Sequence, residues 1–398
     1  MSNYTEKTPV YLDNNATTKP APEVVEAMLP YLTDKWGNPS SMHLFGGRVM
    51  NDVDEARARV AAFIGADPSE IIFTGCATES DNAAIFGAAE TLGPDTTLIT
   101  SKVEHPAVLG PLRHLRDTRG YKLVEVGVDG GGNLDMVQYA EALSKPGPKA
   151  VFIMWANNET GVIFDMPEIA RLAKAAGAFL HTDAVQAAGK IPLDVSKVPV
   201  DTLAFAGHKI HAPKGIGVLY VRRGTRLGKY MIGGHQEKGR RGGTENVPYI
   251  VGLAKACDLA AAHLADTSEL ARLRDKLESG LLATCPDASV NGDRSRRVPN
   301  TTNISFAYIE GEAMLYHLSD KGICASTGSA CSSGSLEPSH VIRAMGVPFT
   351  SAHGSIRFSL SRYTTEDEID YTLNTMPKIV SVLRELSPFV KCDFGCPR

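Results

Sequence analysis

Short, uninterrupted apolar runs alternate with helix-patterned stretches from residue 46 to about residue 221, and no other feature restricts the fold as strongly. The runs at 71–74, 98–100, 151–154, 179–182 and 203–206 have strand length. They lack the apolar–polar alternation of a sheet with one wet face. Strands that are apolar on both sides need cover on both sides. With helical patterns such as 167–176 between them, this predicts a mostly parallel sheet sandwiched by helices, an α/β fold. A helix is expected over 46–64, where Val49, Val53, Ala56, Val60 and Phe63 recur at three- and four-residue steps. The run 217–221 follows its predecessor closely and is expected as an antiparallel neighbour.

Near residue 265 the pattern changes. A charged helix over 267–283 leads into a polar, turn-rich stretch at 291–302 and a strand at 303–306. A further strand is expected at 355–360. A final helix starts from Thr365, where Thr365-x-x-Glu368 has the capping-box pattern. At 398 residues the chain exceeds what one core usually organises. Two domains are expected: a large α/β domain over 16–264, and a smaller α+β domain from 1–15 plus 265–398.

Composition excludes several classes of function. The net charge is −4 and no basic tract stands out, which argues against nucleic acid and anionic membrane as partners. No apolar run is read as reaching the roughly 18 residues that span a bilayer. The start, Met1-Ser2-Asn3-Tyr4-Thr5-Glu6-Lys7, lacks an apolar signal region, so the expected location is the cytoplasm. The seven cysteines (Cys76, Cys257, Cys285, Cys324, Cys331, Cys392 and Cys396) are odd in number and widely spaced. There is no Cys-x-x-Cys and no His-Glu-x-x-His, so neither a disulfide framework nor a zinc site is expected. Cys76 and Cys257 are expected to pack as small hydrophobes.

Polar residues follow the strands of the large domain. Gly75-Cys76-Ala77-Thr78-Glu79-Ser80 follows the first and Glu104-His105 the second. Asn157-Asn158-Glu159-Thr160-Gly161, Asp183-Ala184-Val185-Gln186 and Gly207-His208-Lys209 follow the others. Open α/β sheets bind ligands beyond the carboxyl ends of their strands, so these clusters are expected to converge. The glycine turn before Ala77 and Thr78 has the makings of an anion site at a helix N-terminus; equally, Thr78-x-x-Asp81 reads as a simple helix cap. Asp183 and Lys209 close successive strands. A lysine amine can hold an aldehyde cofactor as a Schiff base, and a carboxylate can keep a pyridine nitrogen protonated. An ordinary ion pair is the bland alternative, weakened because an unpartnered charge beside a buried strand is costly.

Read in order, these segments resemble the aminotransferase class V family of pyridoxal-phosphate enzymes, and within it the cysteine desulfurases of the nitrogen-fixation and housekeeping iron–sulfur type. Tyr11-Leu12-Asp13-Asn14-Asn15-Ala16-Thr17-Thr18 joins them, as do Arg241-Gly242-Gly243-Thr244-Glu245-Asn246, Gly328-Ser329-Ala330-Cys331 and Ser355-Ile356-Arg357-Phe358-Ser359. The resemblance runs from about residue 9 to about residue 385.

The resemblance implies the type I fold of pyridoxal-phosphate transferases, with pyridoxal 5'-phosphate as cofactor and L-cysteine as substrate. By that likeness Lys209 carries the cofactor, Asp183 faces its pyridine nitrogen, and Gln186 bonds its phenolic oxygen. His105 stacks on the ring and helps move protons. Ala77, Thr78 and His208 hold the phosphate, and Thr244 reaches the phosphate of a second subunit, which implies a homodimer. Asn158 and Arg357 grip the substrate carboxylate. Cys331, on a loop of small residues, takes the sulfur as a persulfide and leaves alanine; as a metal ligand it would at most hold an iron–sulfur species transiently. Where housekeeping relatives carry a serine phosphate ligand, this chain has Ala206, so one phosphate hydrogen bond is expected to be lost or made by another group. The expected acceptor of the sulfur is an iron–sulfur scaffold protein. Nitrogenase cluster supply is favoured over a housekeeping or tRNA-thiolation role. Another class V aminotransferase or a selenocysteine lyase stands as the alternative, and a non-catalytic scaffold-docking protein is the more distant one.

Overall fold

The structure, a computed structural model, describes residues 9–327 and 337–387. Cys331, Cys392 and Cys396 lie outside the described residues.

Twelve strands are described: β1 (Val10–Tyr11), β2 (Ile71–Thr74), β3 (Thr97–Ser101), β4 (Lys122–Val126), β5 (Lys149–Phe152), β6 (Phe179–Asp183), β7 (Thr202–Ala206), β8 (Gly217–Val221), β9 (Ala288–Val290), β10 (Thr301–Phe306), β11 (Ile323–Cys324) and β12 (Ser355–Ser359). Seven form one sheet in the order β2-β8-β7-β6-β5-β3-β4. All neighbours are parallel except β8, which runs antiparallel to β7 and to β2. The expected mostly parallel sheet and its antiparallel neighbour are both present. Strands β2, β3, β5, β7 and β8 are buried along their whole length, as uninterrupted apolar runs require.

Two details differ from the sequence reading. The edge strand β4, Lys-Leu-Val-Glu-Val, was not anticipated, because it is only partly buried and its pattern is mixed. The polar clusters are also not all on neighbouring strands: β8 separates β2 from the rest. The helix Ala77–Leu92 closes that gap by packing across β8, β7 and β6.

A second sheet, β12-β10-β9, is antiparallel, and β1 pairs in parallel with β11. The helices Ser268–Thr284, Gly311–Asp320 and Glu366–Leu386 accompany it, the last with the expected capping box at Thr365. Leu12 and apolar residues between Leu270 and Leu383 form a separate hydrophobic cluster. Val298, Val341, Ile342, Met345 and Ala352 join the main core instead. The helix Val247–Leu264 is long and apolar enough to cross a membrane by length and composition, which the sequence reading passed over. Half of it is buried, and it packs on the helices Leu44–Phe63 and Pro22–Met28, as a core helix does.

Candidate active site

The carboxyl ends of β2, β3, β5, β6 and β7 point to the same edge of the sheet. Strand β3 lies between β4 and β5, so the chain reverses its direction of advance there. His105 follows β3 and Asn157-Asn158 follow β5, so they flank this switch point, where open sheets place their ligands. His105 is the N-cap of the helix Pro106–Arg119, its Nδ1 accepting from the Ala107 N–H at 3.1 Å. Asp183 is the last residue of β6. It is buried, and its Oδ1 accepts from the Val185 N–H at 2.9 Å. Lys209 ends the turn Gly207–Lys209 directly after β7. That turn is tight because Gly207 has no side chain: a Cβ there would lie 2.8 Å from Ile216 and 3.0 Å from Ala212.

Residues 13–18 cross from the second hydrophobic cluster to this edge, and one of them organises it. Asn15 uses every polar atom it has. Its carbonyl accepts from Lys209 Nζ at 2.6 Å and from Gln186 Nε2 at 3.0 Å. Its Nδ2 donates to the Asn158 carbonyl at 3.1 Å and to Thr301 Oγ1 at 2.9 Å, and its N–H to Ser359 Oγ at 2.9 Å. Its Oδ1 accepts from Lys190 Nζ at 2.7 Å and Asn300 Nδ2 at 3.1 Å. Lys209 Nζ also donates to the Ala16 carbonyl at 2.8 Å. Arg357, in the middle of β12, is buried. It donates to the Asn158 carbonyl at 3.0 Å and pairs with Asp13 at 2.7 Å, while its Nε finds no partner among the described residues. The structure thus gathers Lys209, Gln186, Asn158 and Arg357 around one short segment.

The expected anion turn is less tightly joined to them. The helix Ala77–Leu92 starts with Cys76 as N-cap and has no side-chain cap. Thr78 lies inside its first turn, exposed, so the simple-cap reading of Thr78 is overturned. Cys76 is exposed as well, against the expectation that it packs: the N-cap position points it out of the strand–helix turn. Cys257, by contrast, is buried as expected. His208 pairs with Thr17 Oγ1 at 3.1 Å. Ala206 is the buried last residue of β7. Thr244 is exposed and lines a cavity of about 150 Å³ with Gly75 and Arg241, and Arg241 pairs with Glu79 at 2.8 Å.

Charge in the site is set by burial. His105 is pushed down to about 4 by burial, then by Lys209 and His340. His208 is also pushed down to about 4, by burial and Lys209. Burial raises Asp183, against the Val185 N–H and Lys209, which lower it. Glu104 is lifted to about 8 by burial, with Ser101 and the Met154 N–H opposing. Behind these residues lies a buried layer: Glu104, from the cluster expected after β3, with two residues whose burial the sequence did not signal, Lys190 and Asp81, the latter paired with His181 at 3.1 Å. His181 precedes Asp183 by two and so shares its face of β6, the one signal that was available.

The aminotransferase class-V family model matches residues 10–372. A cysteine desulfurase of Trichormus azollae is 57% identical over 387 residues, 97% of this chain and 96% of that protein. The cysteine desulfurase NifS of Azotobacter vinelandii is 53% identical over 382 residues, 96% of this chain and 94% of that one. A solved NifS-like protein superposes with a TM-score of 0.88 at 39% identity, covering 94% of this chain and 100% of its own. The chain belongs to the aminotransferase class-V family, a family of pyridoxal-phosphate enzymes, and has its fold.

Proposed function

We infer that this protein is a cysteine desulfurase: it binds pyridoxal 5'-phosphate on Lys209, passes the sulfur of L-cysteine to Cys331 as a persulfide, and releases L-alanine. The observation that carries the reading is the pair at the ends of adjacent parallel strands, the buried Asp183 carboxylate of β6 and the Lys209 amine just past β7. The identity to cysteine desulfurases over nearly the full length supports the same activity.

The residues fit the cofactor. Asp183 is a buried carboxylate whose charge burial disfavours, and a protonated ring nitrogen is the partner such a group calls for. The helix Ala77–Leu92 offers an N-terminus that no side chain caps, with the Thr78 hydroxyl in its first turn, which suits a phosphate. Ala77, Thr78 and His208 would hold that phosphate, with Thr244 supplied from a second copy. Gln186 would donate to the phenolic oxygen. When bound, the cofactor supplies an electron sink for the pair left by the substrate's α-proton.

The chain's own groups do the rest. Arg357, with an Nε–H still to be satisfied, and Asn158 orient the substrate carboxylate. The Lys209 amine would move the α-proton. Burial keeps His105 neutral, and with Nδ1 accepting from the Ala107 N–H its Nε2 carries the proton that it would pass to a reacting group. The Cys331 thiolate attacks the substrate sulfur. The carbon–sulfur bond breaks, a sulfur–sulfur bond forms, and the β-carbon takes up the proton that the thiol gave. No external oxidant or reductant is needed.

A homodimer is part of this reading. Trp36, Met42, Leu44 and Ile232 are exposed apolar side chains that a second copy would cover. Among the described residues, 16–264 would form the large domain and 9–15 with most of those after 264 the smaller one, apart from Val298, Val341, Ile342, Met345 and Ala352, which pack in the main core. An iron–sulfur scaffold in the cytoplasm receives the sulfur, where thiols stay reduced. Nitrogenase cluster supply stands ahead of housekeeping supply, in keeping with the likeness to the Azotobacter protein. The test is mass spectrometry of freshly prepared protein given L-cysteine. The Cys331 peptide should gain one sulfur atom, and Cys331→Ala should lose turnover while its borohydride-sensitive visible band persists. Turnover unchanged in Cys331→Ala would sink the persulfide role.

A further inference from the structure

Behind Gln186 lies a lysine that the reaction above does not use. Lys190 is 8% exposed, and its Nζ donates to Asn15 Oδ1 at 2.7 Å and to Gln186 Oε1. Both acceptors are fixed by contacts other than Lys190. Asn15 Nδ2 faces the Asn158 carbonyl and Thr301 Oγ1, so the opposite terminal atom of Asn15 must be oxygen. Gln186 Nε2 faces the Asn15 carbonyl, which only accepts, so the oxygen of Gln186 must turn toward Lys190. The Gln186 amide is thereby gripped at both of its terminal atoms. One N–H on Nε2 is left over, and its direction is no longer free. The carbonyl that accepts from Gln186 also accepts from Lys209 Nζ, so the two side chains share one reference point.

We propose that Lys190 is a positioning residue: with Asn15 it locks the Gln186 amide so that the remaining N–H faces the cofactor carried by Lys209. This rests on the reading that Lys209 carries pyridoxal phosphate. An N–H donated to the ring's phenolic oxygen competes for the proton which that oxygen shares with the Lys209 linkage. Without the donor the linkage keeps its proton to higher pH. Burial, then the charges of Lys209 and Arg357, push the Lys190 amine well below its ordinary value.

The experiment is a pH titration of the visible band in the cofactor-loaded holoenzyme, with steady-state kinetics alongside. Lys190→Met should raise the midpoint by roughly one pH unit and lower kcat about tenfold, with KM for cysteine changed less than about twofold. Gln186→Ala should give a like shift, and the double variant should add nothing to it, since one residue works through the other. Lys190→Gln is the second variant, retaining a donor, with a smaller shift expected and the same non-additivity. A midpoint unmoved in folded Lys190→Met, or a shift that adds to that of Gln186→Ala, overturns the proposal. A wild-type protein with no borohydride-sensitive band overturns the functional reading beneath it instead.

Discussion

Arg357→Lys separates a carboxylate clamp from a structural cation. The guanidinium donates to Asp13 at 2.7 Å and to the Asn158 carbonyl at 3.0 Å, leaving the buried Nε–H for a ligand. Lysine keeps the charge and can still serve Asp13, but it has no planar fork to offer a carboxylate. The loss is one charge-assisted hydrogen bond, about 1.5–3 kcal/mol, or roughly 10- to 100-fold in affinity. A clamp would grip the carboxylate before and during reaction alike, so the loss should fall on KM and leave kcat within several-fold. Alanine formation measured across cysteine concentration reads both constants. Asp13→Asn is the stability control: it leaves a buried guanidinium, 4% exposed, without its counter-charge, and should cost about 3–5 kcal/mol in unfolding measurements. A KM within twofold of wild type in folded Arg357→Lys would refute the clamp.

Gly207→Ala brings a Cβ to 2.8 Å from Ile216, so it should destabilise by about 1–3 kcal/mol and shift Lys209, lowering cofactor occupancy in absorbance titration. Glu104→Gln tests the buried carboxyl raised from 4.5 to about 8. A raised folded value means stability is present below the unfolded value and lost as pH rises toward 8, so wild type should lose ground to the variant between pH 5 and 8. An equal gap in thermal midpoint across that range would count against burial as the cause. Met42→Asp with Leu44→Asp should convert the protein to a monomer in sedimentation, because both side chains are exposed apolar groups that a second copy would cover. An unchanged sedimentation coefficient would place the subunit contact elsewhere.

Strands buried on both faces were legible because burial keeps their runs mostly apolar and free of alternation. Thus 71–74 and 217–221 match β2 and β8 end to end, while the half-exposed β4 left no clear pattern. The order of the strands was not legible. That β8 sits between β7 and β2 follows from pairing across distant segments, and no local period records it. Residues at strand ends announced themselves by chemistry, as Asp183 and Lys209 did. Cys76 was misjudged, and the two readings of Thr78 stayed level, because a shift of two positions at a helix start decides whether a hydroxyl caps and whether a thiol faces outward. Lys190 gave no signal at all. A lysine in a turn reads as solvated, and only its acceptors, Asn15 and Gln186, explain why it is buried.

Asn15 shows why the two hydrophobic clusters act on one chemistry. Leu12 anchors the chain in the second cluster, and three residues later Asn15 holds Lys209 and Gln186 at the edge of the large sheet. It holds them through its backbone carbonyl, while its side chain reaches Thr301 of β10 and its N–H reaches Ser359 of β12, the strand that carries Arg357. A displacement of β12 therefore has a short path to the Lys209 amine, made of directional hydrogen bonds in a buried setting, where an unmade bond costs about 1–3 kcal/mol. That cost would couple the carboxylate grip proposed for Arg357 to the placement of Lys209. A segment with no regular structure can do this because its backbone carbonyls, unclaimed by a helix or ladder, are left to accept from the lysine.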